Sequence, residues 1–264
     1  MLMTQYVPGA PNWLDLGVTD TDAAAAFYGG VFGWTVQSAG PDAGGYGFFQ
    51  LDGKTVAGVG PLTEEGAGAA WTVHFHSRDV DALAKTVEQA GGTVRFGPCD
   101  VFTAGRLAGF TDPTGAEFAV WQPREVAGLE VIAEPGSLAW TELYTTDAAA
   151  AKTFYRSVFG WETADNEMGD HLVYTVASPA GTDPAGDAGH SGLMQLPEEE
   201  RAAGSASEWH PYFGVADCDA TVAAATERGA TVVIDPADAE GIGRLAKLLD
   251  PFGAPFALIT PSPR

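Results

Sequence analysis

Positive charge is scarce in this chain. Only 13 Lys and Arg stand against 35 Asp and Glu in 264 residues, a formal net charge of −22. A protein that docks on nucleic acid needs a basic stripe to displace phosphate counterions, so no nucleic-acid partner is expected. The acidic balance serves solubility, or else steers a cationic ligand. Cysteine is scarcer still: Cys99 and Cys218 make neither a disulfide framework nor a zinc site, and a reducing cytoplasm is expected. No run of about 18 apolar residues occurs, so no membrane span is expected. The opening MLMTQYVPGAPNW lacks a basic stretch followed by an apolar one and does not read as a secretory signal. What the chain has is an ordinary core complement, 45% hydrophobic, and a length that suits two domains of roughly 100–150 residues.

It also has an internal repeat. Residues 13–34, WLDLGVTDTDAAAAFYGGVFGW, match residues 140–161, WTELYTTDAAAAKTFYRSVFGW, at an offset of 127. Further on, Trp71 matches Trp209, Gly105-Arg106 matches Gly243-Arg244, and the D-P-x-G of Asp112 matches that of Asp250, all at 138. Six of the seven Trp fall into three such pairs, so the duplication covers nearly the whole chain. The second copy carries 11 extra residues, and SPAGTDPAGDAGHSG (178–192) has the loop composition to hold them.

Each copy reads as strand, helix, then short strands, twice over. WLDLGV and WTELYT open as strands; Asp20 and Asp147 are N-caps of Ala-rich helices that end near Phe27-Tyr28 and Phe154-Tyr155. The second unit of each copy starts at WTVHFHS (71–77) or WHPYFGV (209–215), with Asp79 and Asp217 capping the next helix. D-P-x-G is a turn between the last two strands. Domains of 1–123 and 138–264, joined by a Pro- and Gly-containing linker over 124–137, are expected. GGYG (44–47) and GAGAA (66–70) lack the context of a phosphate loop.

The order D-x-x-x-A-x-x-F-Y-x-x-x-F-G-W, D-V-D-A (D-C-D-A in the second copy), D-P-x-G, found in both halves, resembles the vicinal-oxygen-chelate superfamily of glyoxalases, bleomycin-resistance proteins and extradiol dioxygenases. The W-x-[DE]-L opening and the G-R pair look like its tandem, actinobacterial-type subgroup of hydroxylase-like and glyoxalase-like proteins. The resemblance implies an α+β fold: βαβββ modules of the glyoxalase/bleomycin-resistance/dihydroxybiphenyl dioxygenase kind, four of them in two cup-shaped domains. It also implies where a metal would sit. Members that use one place a His on the first strand, a His on the fifth and a Glu on the last, a set suited to Zn, Ni or Fe. Here those positions hold Trp13, Thr72 and Ala119 in one copy and Trp140, His210 and Ala257 in the other. One His in six is not the family's metal site, and no cofactor is expected. A displaced set, Asp15, His74, His76 and Glu117, is the remaining route to a divalent metal.

Strand alternation then indicates what faces the cups. With Trp13 inward, Asp15 is inward too; Trp140, Glu142 and Tyr144 follow the same parity. Thr72, His74 and His76 share a face, as do His210 and Tyr212, and Glu117 and Trp121 share that of Ala119. Asp15 and Glu142, each two residues after a Trp, are candidate catalytic acid–base groups with His74 and His210, since a partly buried carboxylate or imidazole can carry a proton near neutrality. Trp13, Thr72, His76, Glu117, Trp121, Trp140, Tyr144 and Tyr212 are candidate ligand contacts, an aromatic lining with few polar groups. Arg106 and Arg244 either bind a carboxylate or hold a turn. His190, in the enlarged loop, is a candidate lid residue. The expected activity is acid–base chemistry (isomerase, lyase, cyclase or hydratase) on a small aromatic or polyketide-like metabolite. The alternatives are sequestration of a drug or metabolite, as in bleomycin resistance, and a metal-dependent glyoxalase or dioxygenase. A monomer and a homodimer are both compatible with two copies in one chain.

Overall fold

The computed structural model describes residues 2–62, 66–168 and 172–262. Four βαβββ modules follow one another. The first runs β1 (Pro11–Val18), α1 (Thr21–Phe32), β2 (Thr35–Ser38), β3 (Gly47–Leu51) and β4 (Lys54–Pro61). The second runs β5 (Ala70–His76), α2 (Val80–Gln89), β6 (Thr93–Val101), β7 (Gly105–Thr111) and β8 (Glu117–Pro123). The third has β9 (Leu138–Thr145), α3 (Ala148–Phe159), β10 (Glu162–Met168), β11 (Leu172–Ser178) and β12 (Ser191–Gln195), followed by a short helix, α4 (Glu198–Ala202). The fourth has β13 (Glu208–Gly214), α5 (Cys218–Thr226), β14 (Thr231–Ala239), β15 (Gly243–Leu249) and β16 (Pro255–Pro261). Each copy forms one eight-stranded sheet, ordered β2-β3-β4-β1-β5-β8-β7-β6 and β10-β11-β12-β9-β13-β16-β15-β14. The expected fold class is the one observed.

The motifs have local physical reasons. Asp20, Asp79, Asp147 and Asp217 each accept the backbone N–H three residues on at 2.9 Å, satisfying a donor that a helix start leaves open. The helices α1 and α3 do not end at Phe27-Tyr28 and Phe154-Tyr155; they run on to Phe32 and Phe159. What stops them is the next residue, Gly33 (φ 74°) or Gly160 (φ 71°), a left-handed cap that favours glycine and explains F-G-W. Arg106 pairs with Asp81 and Asp100, and Arg244 with Asp219 and Asp238. In D-V-D and D-C-D, then, the first Asp caps the helix and the second anchors the repeated Arg. The arginines hold the start of β7 and β15.

The extra residues of the second copy are spread more widely than composition suggests. Sheet register aligns Phe48 with Val176 (offset 128) and Gly58 with Gly192 (offset 134), because Gly58 pairs with Asp15 and Phe48 while Gly192 pairs with Glu142 and Val176. The β11–β12 connection therefore holds six of them; the rest lie on either side, including the segment that carries α4.

Packing does not follow the copies. One compact unit comprises residues up to Trp13, Val73–Gly128 and Trp140–Trp209; the other comprises Leu14–Thr72, Leu129–Ala139 and the chain from His210 on. Each unit thus takes one module from each copy, and each has the same aromatic core. In the first unit Phe75, Phe118, Tyr155, Phe159, Trp161 and Trp209 stack and meet edge to face. In the second, Phe213, Phe256, Tyr28, Phe32, Trp34 and Trp71 do the same. At the centre of each, a Trp indole donates to a Tyr hydroxyl, which donates to the Asp of D-P-x-G. The chain is Trp209–Tyr155–Asp112 (2.8 and 3.0 Å) in one unit and Trp71–Tyr28–Asp250 (3.0 and 2.9 Å) in the other. The other oxygen of each Asp accepts the backbone N–H groups that close its own turn. The segment joining the copies is part of this core: Leu129, Val131 and Ile132 are buried, and Glu130 accepts from Thr55 N–H at 2.7 Å.

Burial, and after it the neighbouring carboxylate, holds both Tyr28 and Tyr155 above the ordinary tyrosine range. Burial also raises Asp250. Tyr28→Phe and Tyr155→Phe are each expected to lower unfolding free energy by roughly 1–3 kcal/mol, the cost of leaving a buried acceptor unmet. Denaturant melts measure it. The folded chain holds both phenol protons more tightly than the unfolded chain does. Their contribution is intact below pH about 10 and is lost as pH rises beyond that. Melts from pH 8 to 11 should show a shallower decline in the double variant.

Candidate functional site

The first strand of each copy, β1 or β9, carries the repeated carboxylate. On β1, Leu14, Leu16 and Val18 are fully buried, which leaves Trp13 and Asp15 to the opposite face, as alternation predicts. On β9 the buried run Thr141, Leu143 and Thr145 alternates with Trp140, Glu142 and Tyr144. Asp15 is half-buried, and Glu142 is only 5% exposed.

Each carboxylate holds a tyrosine. Tyr46, in the residue before β3, donates its hydroxyl to Asp15 Oδ1. Tyr174, on β11, donates to Glu142 Oε2 at 2.8 Å and accepts from Trp140 Nε1 at 2.8 Å. By register the two tyrosines are equivalent, each two residues before the strand residue that pairs with Gly58 or Gly192. Those glycines make the room. A Cβ on Gly58 would overlap the Tyr46 hydroxyl and Asp15 Oδ1; a Cβ on Gly192 would overlap the Tyr174 hydroxyl. The sequence reading missed both tyrosines and both glycines. They recur at offsets of 128 and 134, between the two fixed offsets that reveal the repeat, and only strand pairing aligns them.

The other predicted residues divide by strand. His74 (4% exposed) is paired in register with Ala119 on β8, and His76, half-buried, with Trp121. Their neighbours Val73 and Phe75 are fully buried in the core. Burial, and then Arg78, pushes the pKa of His76 down. Trp13 stacks on Trp121, with ring centroids 6.4 Å apart, and Trp121 Nε1 donates to Val126 O. On β13, His210 and Tyr212 are buried, and Tyr212 pairs in register with Ala257. Thr72 is half-buried at the start of β5. Glu117 is displaced from this set: its side chain is 57% exposed and forms an ion pair with Arg95 at 2.9 Å.

His190 is no lid. It is 2% exposed, its Nδ1 lies 2.8 Å from Ser191 Oγ, and Ser191 Oγ lies 2.7 Å from Thr141 Oγ1. Its ring meets Trp161 edge to face at 5.1 Å, and its buried Nε2 has no hydrogen-bond partner among the described residues. The enlarged connection therefore ends by plugging its own strand into the core.

The residues do not fit the metal that the fold family implies. Trp13, Ala119, Trp140 and Ala257 offer no ligand atom at four of the six positions. Among the described residues no group of three or more His, Cys, Asp or Glu could hold a metal ion. The displaced set of Asp15, His74, His76 and Glu117 is thereby corrected: these side chains form no such group, and Glu117 faces solvent beside Arg95.

Comparison with known proteins places this geometry in a family. Residues 10–120 match the Glyoxalase/Bleomycin resistance protein/Dioxygenase superfamily, and residues 140–259 match a glyoxalase-like domain. The chain belongs to this superfamily. Among its relatives is the anthracycline biosynthesis protein DnrV of Streptomyces peucetius, 42% identical over 97% of this chain and 95% of that one. Another is CFP32 of Mycobacterium tuberculosis, which carries a provisional glyoxylase name and is 37% identical over 99% and 98% of the two chains. Solved structures share the fold. The 2,2',3-trihydroxybiphenyl 1,2-dioxygenase of Sphingomonas wittichii has a TM-score of 0.64 at 15% identity, covering 96% of this chain and 91% of its own. The Mn(II)-bound glyoxalase of Novosphingobium aromaticivorans has a TM-score of 0.62 at 20% identity, covering 96% and 83%. Among the described residues no helix is long and apolar enough to cross a membrane.

Burial pushes the pKa of His190 down to about 3. A depressed imidazole stabilises the fold above the ordinary histidine value of about 6.5, and that contribution is lost as pH falls toward about 3. Ring-nitrogen NMR at pH 5 is expected to find His190 neutral. A charged ring at that pH would contradict its placement in the core.

Proposed function

We propose that the protein is a cofactor-independent acid–base enzyme acting on a small aromatic or polyketide-derived metabolite, with Asp15 and Glu142 as the proton-accepting groups. The observation that carries this reading is the repeated carboxylate–tyrosine pair two residues after a Trp, in a family fold four of whose six metal-ligand positions hold Trp or Ala. His74 and His210 are the proposed proton-carrying partners. Trp13, Trp121, Trp140, Tyr144 and Tyr212 are the proposed aromatic ligand contacts, and Thr72 and His76 the polar ones. The 42% identity to a protein named for anthracycline biosynthesis supports a polycyclic ketone as the substrate class. A proton moved between two substrate atoms gives isomerisation, elimination, cyclisation or hydration, each needing only a positioned base and acid. The protein is proposed to work in the cytoplasm, as a monomer or homodimer.

The stacked Trp13–Trp121 pair and the net charge of −22 favour a second reading, in which the protein binds a planar cationic drug or metabolite without changing it. Incubation with a tetracyclic aromatic ketone, followed by mass spectrometry, separates the two. The enzyme reading expects a product of equal mass, or one changed by a molecule of water, and at least a 100-fold loss of rate in the Asp15→Asn/Glu142→Gln double variant. Chelator dialysis should leave the rate unchanged. Full turnover by the double variant would remove these carboxylates from the mechanism. Tight binding with the ligand returned intact selects the binder.

A further inference from the structure

The tyrosines are placed to do more than hold a side chain. In the second copy Glu142 is buried while Tyr174 is half-buried, so the tyrosine is the more exposed member of the pair. In the first copy the Tyr46 hydroxyl covers Asp15 Oδ1. Both arrangements require a glycine on the neighbouring strand, and neither Gly58 nor Gly192 has a positive φ to explain it otherwise. An alanine would fit each backbone but would drive the phenol off the carboxylate. Two glycines kept open by space alone, at register-equivalent positions, mark the hydroxyl's place as the thing preserved.

We propose that Tyr46 and Tyr174 are proton relays, touching an enolisable ketone substrate with the phenol oxygen while Asp15 and Glu142 store the proton behind them. The step balances. The substrate C–H next to the carbonyl breaks, and its proton forms a new phenol O–H. The phenol's original proton passes to the carboxylate, making a carboxylic acid, and the electron pair stays on the substrate as an enolate. Return of the proton by the same relay to another substrate atom completes the isomerisation and restores the resting pair. The substrate class is a ketone with a hydrogen on the carbon beside the carbonyl, held against an aromatic ring system.

This rests on the acid–base reading above, and one experiment separates their failures. The full-length protein is incubated with 2-tetralone, a bicyclic aromatic ketone, in deuterated buffer. Proton NMR follows exchange at the carbons beside the carbonyl. The wild type is expected to accelerate exchange with saturation. The Tyr46→Phe/Tyr174→Phe and Asp15→Asn/Glu142→Gln double variants should each lower kcat for exchange about 100-fold with KM within about threefold. Gly58→Ala/Gly192→Ala, which keeps every reacting side chain but displaces the phenol from its carboxylate, should fall with them while circular dichroism shows the fold intact. If the carboxylate variant is dead but the tyrosine variant keeps at least half the wild-type kcat, the relay is wrong and the acid–base reading stands. If wild-type protein binds 2-tetralone but never exchanges it, both are wrong.

Discussion

A turn aspartate that works with both of its oxygens underlies the rest of the structure. One oxygen of Asp112 or Asp250 closes the D-P-x-G turn by accepting backbone N–H groups; the other accepts a buried tyrosine hydroxyl from the opposite copy. A phenol surrounded by aromatic rings needs an acceptor, and a carboxylate taken out of water needs donors. Each meets the other's requirement, with a Trp indole completing the chain. This explains why F-Y, F-G-W and D-P-x-G recur together although they are far apart in sequence. They are parts of one packed centre, and each centre draws its parts from both copies. Tandem duplication is therefore built into the packing, since a single copy would leave a tyrosine without its aspartate and an aspartate without its tyrosine.

On β1 and β9 the fully buried Leu14, Leu16 and Leu143 alternate with Trp13, Asp15, Trp140 and Glu142. At four of the six positions where metal-using relatives of the fold place imidazole and carboxylate ligands, this chain has indole or methyl groups, and its repeated carboxylates sit two residues after the Trp with tyrosines on them. The repeated element is thus a carboxylate, a phenol and a glycine gap. A hydrogen-bonded carboxylate and phenol can exchange a proton without a metal.

Much of the fold was legible in the sequence because its signals are local or strictly periodic. N-cap aspartates bond three residues on, Gly33 and Gly160 stop their helices where a left-handed backbone is needed, and the alternation on β1 separates Leu14 and Leu16 from Asp15. The capping aspartates recur at one or other of the two fixed offsets and the arginines at the second, so repetition exposed them. The strand face of Asp15 and Glu142 was legible for the same reason. The position of Glu117 was not: alternation could not show that the start of β8 is exposed, with Glu117 paired to Arg95. Nor could loop composition show that His190 returns to the core beneath Trp161.

The sequence by itself determined that two copies of a two-module unit exist, which residues cap and stop each helix, and that the family's metal ligands are missing. These follow from residue identity at fixed spacing. Only the tertiary structure decided which module packs with which, because a Tyr–Asp bond across more than two hundred residues leaves no periodic trace. Only strand register decided that Tyr46 belongs with Asp15 and Tyr174 with Glu142, since the loops between the fixed points differ in length and carry the partners out of alignment. The chemistry proposed for the protein lies in those pairings, where hydrogen bonds across neighbouring strands replace spacing along one chain.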